Sequence, residues 1–333
     1  MGFPLIVVRK PRGLIFLVGL MILGTDPFPR GVNSSLGGRF HVQTPYLSID
    51  QRHWTLPESF AFCEQLTYSH YENFPVASRF VPSDKRPHIA AIYAFARIAD
   101  DFADEPGYTQ AERIESLRRW EEQLVACYQG ESTHPVFVAL TETVERFQIP
   151  QELFQNLLTA FRLDVTIRRH ETFEQILDYC SCSANPIGRL VLLLFNYRSE
   201  LLLMQSDAIC TALQLTNFWQ DVSVDLEKDR IYLPQEDMAQ FGVSEQDLMS
   251  RSVTRGFRKL LSYEVARTER FFNEGKPLVY QVGRDLRFEL KLTWNGGVRI
   301  LNKIKGQGYD VFQKRPRLTI IDKMGLVLRS IVH

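Results

Sequence analysis

Several features are missing from this chain, and each absence removes a class of function. There is no net charge, since 39 basic residues balance 39 acidic ones over 333 positions. The footprint of a nucleic-acid binder is therefore lacking, and no nucleic-acid partner is expected. No alternating apolar–polar stretch marks a half-buried strand. No Gly-x-Gly-x-x-Gly opens a helix after a strand, so a Rossmann module and a nicotinamide cofactor are not expected. Five cysteines, an odd count without regular spacing, point to reduced thiols in a cytoplasmic protein. Cys180-Ser-Cys182 lacks the gap of a zinc knuckle, and buried thiols on a helix are the simpler reading. The apolar run from Gly13 to Leu23 is shorter than the roughly 20 residues that span a bilayer.

That run has Arg9, Lys10 and Arg12 before it and a Pro/Gly/Ser-rich stretch to Gly38 after it. It reads as a secretory signal, a shallow membrane anchor or translated sequence upstream of the true start, with the last two favoured. The expected division is an N-terminal extension over residues 1–40 and a single domain over 41–333. A hydrophobic share of 45% with 23% charged residues is enough for that domain to build an ordinary globular core.

What the chain does have is a helical pattern almost throughout, punctuated by caps and prolines. Thr55 and Pro57 open a helix running to about Tyr68, and Ser83 with Pro87 opens a long apolar one ended by Pro106-Gly107. An amphipathic helix follows from about Gln110 to Tyr128, stopped by Gly130. Pro135 and Pro150 begin two more, the second running through Leu153 to Arg169, with Asp164 expected to pair with Arg168. Thr172 caps another, which Asn185-Pro186-Ile187-Gly188 interrupts. A further apolar helix spans roughly Ser206–Leu226, Ser244 and Asp247 form a capping box, and long helices cover about Ser252–Asn273 and Gly283–Lys305. Arg168-Arg169-His170 and Lys314-Arg315-Pro316-Arg317 read as solvated basic surface.

Two of these helices carry acids one turn apart. The first holds Tyr93, Arg97, Asp100, Asp101, Asp104 and Glu105; the second holds Gln214, Asn217, Asp221 and Asp225. Like charges at that spacing repel by roughly 0.2–0.5 kcal/mol per pair. Both rows follow apolar residues (Ala90, Ile92, Phe95, Ile98; Leu213, Leu215, Phe218, Trp219), so the acids face burial and need partners. One row alone could be a solvated face or could pair with neighbouring Lys and Arg. Two rows favour hard cations bound through oxygen, of which Mg²⁺ also takes substrate phosphates.

Taken together, Tyr93-xxx-Arg97-xx-Asp100-Asp101-xx-Asp104, Gln214-xx-Asn217-xxx-Asp221-xxx-Asp225 and the trailing Arg230-Ile231-Tyr232-Leu233-Pro234 resemble the squalene/phytoene synthase family. The likeness covers about Tyr71 to Arg317. It implies an all-α, single-domain isoprenoid synthase bundle with a central apolar cavity. Glu72–Ser78, Ser183–Arg189, Asn217–Asp221 and Gly296–Leu301 are most similar to members that convert presqualene diphosphate to hydroxysqualene in hopanoid synthesis. Two departures stand out: Gln220 and Asn73 lie where condensing members commonly have Arg and often Ser.

The resemblance further implies a prenyl diphosphate substrate and two or three Mg²⁺ ions held by Asp100, Asp101, Asp104, Asn217, Asp221 and Asp225. Asp100, Asp104, Asp221, Asp225, Tyr93 and Arg97 are the catalytic candidates. Arg97, Gln214, Lys228, Arg230, Tyr232 and Phe74 are the substrate-binding candidates. For Arg97 an ion pair with Asp101 is the alternative, and for Tyr232 a packing role. Phe74, Tyr93, Phe95, Phe161, Phe218 and Trp219 are candidates to face a carbocation, although aromatics at helical spacing are more often core. Water capture would give hydroxysqualene. Head-to-head condensation of prenyl diphosphates is the alternative activity, and a catalytically dead assembly factor at the membrane is the third. C30 lipid chemistry also implies peripheral contact with the inner face of the cytoplasmic membrane and other hopanoid-pathway enzymes as partners.

Overall fold

The computed structural model describes residues 53–70 and 81–332. The expectations for residues 1–40, for the Glu72–Ser78 motif and for Phe74 fall outside the described residues. Within them the chain is helical: α1 Leu56–His70, α2 Arg86–Asp104, α3 Gln110–Gln129, α4 Pro135–Phe147, α5 Gln151–Thr166, α6 Phe173–Ser183 and α7 Asn185–Leu194. There follow α8 Glu200–Leu226, α9 Gln235–Gln240, α10 Glu245–Met249, α11 Arg255–Gly275, α12 Leu278–Gln281, α13 Arg284–Gly306 and α14 Ile320–Val332.

Local chemistry sets most of the boundaries. Thr109 and Glu112 form a reciprocal capping box before α3, and Gly130 ends that helix in the left-handed region at φ +75°. Thr172 accepts from the Gln175 amide to start α6, and Ser244 with Asp247 caps α10.

Several boundaries differ from the sequence reading, among them three near the acidic rows. α2 starts at Arg86, with Pro87 in its first turn, and Ser83 is not its cap. α5 ends at Thr166 because Ile167 turns extended, which leaves the Arg168 carbonyl to accept the Ile231 amide at 3.0 Å. α8 begins at Glu200, six residues early, since nothing from Arg189 to Leu233 is Gly or Pro. The short helices α9 and α12 and the C-terminal α14 were not foreseen.

Two helices are buried on nearly all sides. α2 packs on α1, α3, α4 and α5, whereas α8 packs on α7, α11, α13 and α6. α5 touches α2 together with α6 and α7, which in turn touch α8, so the two helices with acidic rows are joined through a middle layer. Close packing around α8 is enforced by glycine: a Cβ at Gly297 would meet Phe272 at 2.4 Å and Leu213 at 2.7 Å. All five cysteines are free thiols, four of them buried.

Candidate active site

The acids of the first row lie in the last turns of α2. Arg97 Nη2 donates to Asp101 Oδ1 at 2.5 Å, and its Nη1 lies 3.5 Å from Asp100 Oδ2. The ion-pair alternative for Arg97 is therefore realised. Burial pushes the Asp100 carboxyl up to about 7; Arg97 opposes this, while Asp104, Asp101 and Asp164 add to it. Asp101 rises to about 6 through burial, again against Arg97. Tyr93 is buried one helical turn before Arg97, its hydroxyl lacks a hydrogen-bond partner among the described residues, and burial raises it to about 12.

Asp104 is where the first row meets the segment that follows the second. The chain leaves α8, turns through Asp229 at φ +54° and places Lys228 and Arg230 on either side of that turn. Lys228 Nζ donates to Asp104 Oδ2 at 2.6 Å and Arg230 Nη2 to Asp104 Oδ1 at 2.7 Å. Burial would raise the Asp104 carboxyl, but Arg230 and Lys228 override it and hold it well below the ordinary carboxylate range. Past the turn the chain runs beside residues 169–171: Arg169 bridges Ile231, the Gln235 amide donates to His170 O at 2.9 Å, and the Glu236 amide donates to Glu171 O at 3.0 Å.

On α8, Asn217 Nδ2 donates to Asp221 Oδ2 at 2.9 Å. Asp221 also accepts two bonds from Arg315, one from Nε and one from Nη2 at 3.0 Å. Gln220 donates to the carbonyl of Pro316, fastening the same loop. Gln214 is fully buried, and both polar atoms of its amide lack a hydrogen-bond partner among the described residues. Asp225 is buried and lines a void of about 10 Å³ with Phe218, Arg230 and Tyr232, room for one water.

Asp164 departs from expectation. It does not pair with Arg168; it accepts from Tyr179 Oη at 3.0 Å and from Tyr232 Oη at 3.3 Å, because α5 stops before Arg168. Arg168 instead donates to the Lys228 carbonyl at 3.3 Å. Tyr232 stacks on Phe218 at 3.9 Å between ring centres, so it is both packed and hydrogen-bonded. The basic run at 168–170 is not a free surface: Arg169 pairs with Asp229 and Glu245, and His170 is buried against Tyr232. Phe95 and Trp219 belong to the core, the first against Trp120 and Phe154, the second donating to Thr268 Oγ1 at 2.8 Å. Arg315, Tyr179 and Asp164 were missed as site residues. Only Arg315 had left a signal, as part of a basic run set aside as surface.

The candidate ligands are all oxygen donors, the kind that hard divalent cations take. Among the described residues no group of three His, Cys, Asp or Glu is arranged to hold a metal ion, and Lys228, Arg230 and Arg315 lie on the acids. The donor set fits Mg²⁺ in kind, on condition that those three side chains withdraw.

Buried helices with acidic rows at neighbouring ends define an all-α isoprenoid synthase. The squalene/phytoene synthase family model matches residues 68–322, and the chain belongs to that family. It is 35% identical over 237 residues to a hydroxysqualene synthase of Sinorhizobium fredii, covering 70% of this chain and 80% of that one. A phytoene synthase of Arthrospira platensis is 29% identical over 283 residues, 81% of this chain and 91% of its own. Among solved structures, squalene synthase HpnC of Alicyclobacillus acidocaldarius superposes with a TM-score of 0.73 at 42% identity, over 77% of this chain and 96% of the other. A dehydrosqualene synthase in complex with ligand follows at a TM-score of 0.72 and 26% identity, over 83% and 96%.

Proposed function

We propose that this enzyme ionises presqualene diphosphate and captures the resulting carbocation with water, giving hydroxysqualene for hopanoid synthesis. The observation that carries this is the set of cations laid on the acidic rows: Lys228 and Arg230 on Asp104, and Arg315 on Asp221. Identity to a hydroxysqualene synthase, higher than to the phytoene synthase, supports the choice within the family.

Asp100, Asp101, Asp104, Asn217, Asp221 and Asp225 would hold Mg²⁺, which supplies Lewis-acid neutralisation of a departing diphosphate. The chain's own side chains do the rest. Lys228 and Arg230 flank one turn and exchange Asp104 for diphosphate oxygens, so the leaving group meets fixed positive charge in a place with little water. Arg315 offers a planar two-pronged donor that suits phosphate as well as carboxylate. Gln214, buried with an unspent amide, is suited to orient the reacting end of the substrate. Tyr232, held by Asp164 and Phe218, closes the layer over the site and limits bulk water.

The second reading is head-to-head condensation of two prenyl diphosphates, which the coverage of the phytoene synthase match favours. Purified protein with Mg²⁺ is given farnesyl diphosphate, then separately presqualene diphosphate. Hydroxysqualene from the second substrate and nothing from the first is expected. Turnover of farnesyl diphosphate alone would assign the condensing reaction. A cytoplasmic enzyme in peripheral contact with the membrane and with other pathway enzymes is the setting that fits. Among the described residues no helix is long and apolar enough to cross a membrane.

A further inference from the structure

Among the described residues, nothing covers one face of the C-terminal helix. α14 is anchored firmly at its start: Thr319 and Asp322 form a capping box, with the Asp322 amide donating to Thr319 Oγ1 at 3.2 Å and Asp322 Oδ2 accepting from the Thr319 amide at 2.8 Å. Asp322 also accepts from Arg299 and Lys303 of α13, each at 2.7 Å, and Leu326 and Ser330 are buried one and two turns on. The helix is thus fixed along α13 by one side.

The other side carries Ile320, Ile321, Met324 and Leu328, exposed by 65, 83, 63 and 63%. Their spacing puts them on a single stripe about two turns long. Four large apolar side chains so exposed on a well-pinned helix form an apolar patch of the kind that marks an interaction site.

At the far end of the stripe, Arg329 joins Lys276, Lys291, Tyr280, Trp294 and Asn295 around a cavity of about 420 Å³. Among the described residues none of these three cations forms an ion pair with an acid, and Lys276 rests over the Trp294 ring at 5.3 Å. A stripe of bare aliphatics that ends in unpaired cations and amphipathic aromatics matches a layered target: acyl chains beside anionic headgroups. A second protein chain would need acids against the basin and a matching apolar ridge. A bilayer of anionic phospholipid supplies both at once.

We propose that α14 and the adjoining Lys276–Lys291–Arg329 basin form a docking surface for an anionic phospholipid bilayer, with Ile321, Met324 and Leu328 entering the acyl region and the basin taking a lipid phosphate. This deepens the membrane partner named for the proposed function, yet it rests on the surface alone, so failure of the proposed reaction leaves it standing. The docking helix begins five residues after Arg315, which holds Asp221, so the bilayer contact and the acidic site are joined by one short segment.

The test is co-sedimentation of the purified full chain with vesicles of phosphatidylcholine, with and without phosphatidylglycerol. Binding to the anionic vesicles only, weakened by salt, is expected. Lys276→Glu, Lys291→Glu and Arg329→Glu together should lower the partition coefficient by roughly 100-fold, the factor three near-surface cations amount to. Ile321→Asp with Met324→Asp should abolish binding to the anionic vesicles. Both variants are checked for unchanged helicity and melting temperature, and a variant that fails this check is replaced by Leu328→Ser alone, for which a measurable drop is still expected. Equal binding to neutral vesicles would overturn the proposal. So would retained binding by the folded Asp variant, loss of binding only on Leu17→Asp in the N-terminal run, or a dimer in analytical ultracentrifugation that Ile321→Asp converts to monomer.

Discussion

Arg315 and Asp221 are joined by a two-pronged hydrogen-bonded ion pair across 94 residues of sequence. Gln220, the neighbour of Asp221, holds the carbonyl of Pro316 and so keeps the loop in register. The guanidinium that reaches Asp221 comes from the loop between α13 and α14. Arg315 and a divalent cation compete for Asp221. Arg315→Ala should therefore tighten apparent Mg²⁺ affinity, read from tryptophan fluorescence, while kcat/KM falls about 10- to 100-fold, as expected for one charge-assisted hydrogen bond to substrate. An unchanged metal titration would show that the pair does not gate the acid.

Asp104 accepts from Lys228 and from Arg230, and Arg230 is only 4% exposed. Asp104→Asn takes the carboxylate away from a buried guanidinium that also donates to the Asp164 carbonyl at 2.9 Å. Urea denaturation of the metal-free variant should show a loss of about 3 kcal/mol, the cost of stranding one member of a buried pair. Turnover should disappear as well. A variant as stable as the parent would mean that the pairs on Asp104 hold no part of the fold together.

Gln214 gives the opposite sign. Its amide is buried with neither polar atom satisfied among the described residues, which costs about 1–3 kcal/mol in a folded protein. Gln214→Met keeps the volume and removes the unsatisfied group, so stability should rise by that order while turnover falls. A stability gain with full activity would remove Gln214 from the site, and a stability loss would mean that its amide is satisfied in the folded chain.

The pH profile should carry two opposed slopes. Burial lowers His88 and His170 to about 4, below their ordinary 6.5, so the unfolded chain binds more protons between those values. Their contribution is complete above pH 6.5 and is lost as pH falls toward 4. Burial raises Glu264 to about 9 against the pull of Arg267 at 3.7 Å, so its contribution is complete below pH 4.5 and is lost as pH rises toward 9. Glu264→Gln should leave the acid limb intact and make the variant progressively more stable than the parent from pH 5 to pH 9, measured by urea midpoints. Parallel profiles for the two proteins would rule out Glu264 as a buried titrating group.

Most of the helices were legible because caps, prolines and apolar spacing are local signals: α3 begins at Gln110 as read, and α6 begins where Thr172 says it should. The acidic rows were legible for the same reason, being periodic within one helix. What the rows touch was not. Arg315 reaches Asp221 only because α13 returns alongside α8, and Tyr179 reaches Asp164 only because α6 folds back on α5. Arg168 looked like the partner of Asp164 by spacing, but that spacing holds only while the helix continues, and Ile167 ends it. Pairings made by tertiary contact leave no period in the chain, so basic residues that complete the site passed for surface.

One residue in a left-handed turn, Asp229, separates the two cations that share Asp104. Lys228 and Arg230 thereby reach the two oxygens of one carboxylate from a single turn, and an anion that takes both side chains leaves Asp104 free of its cations.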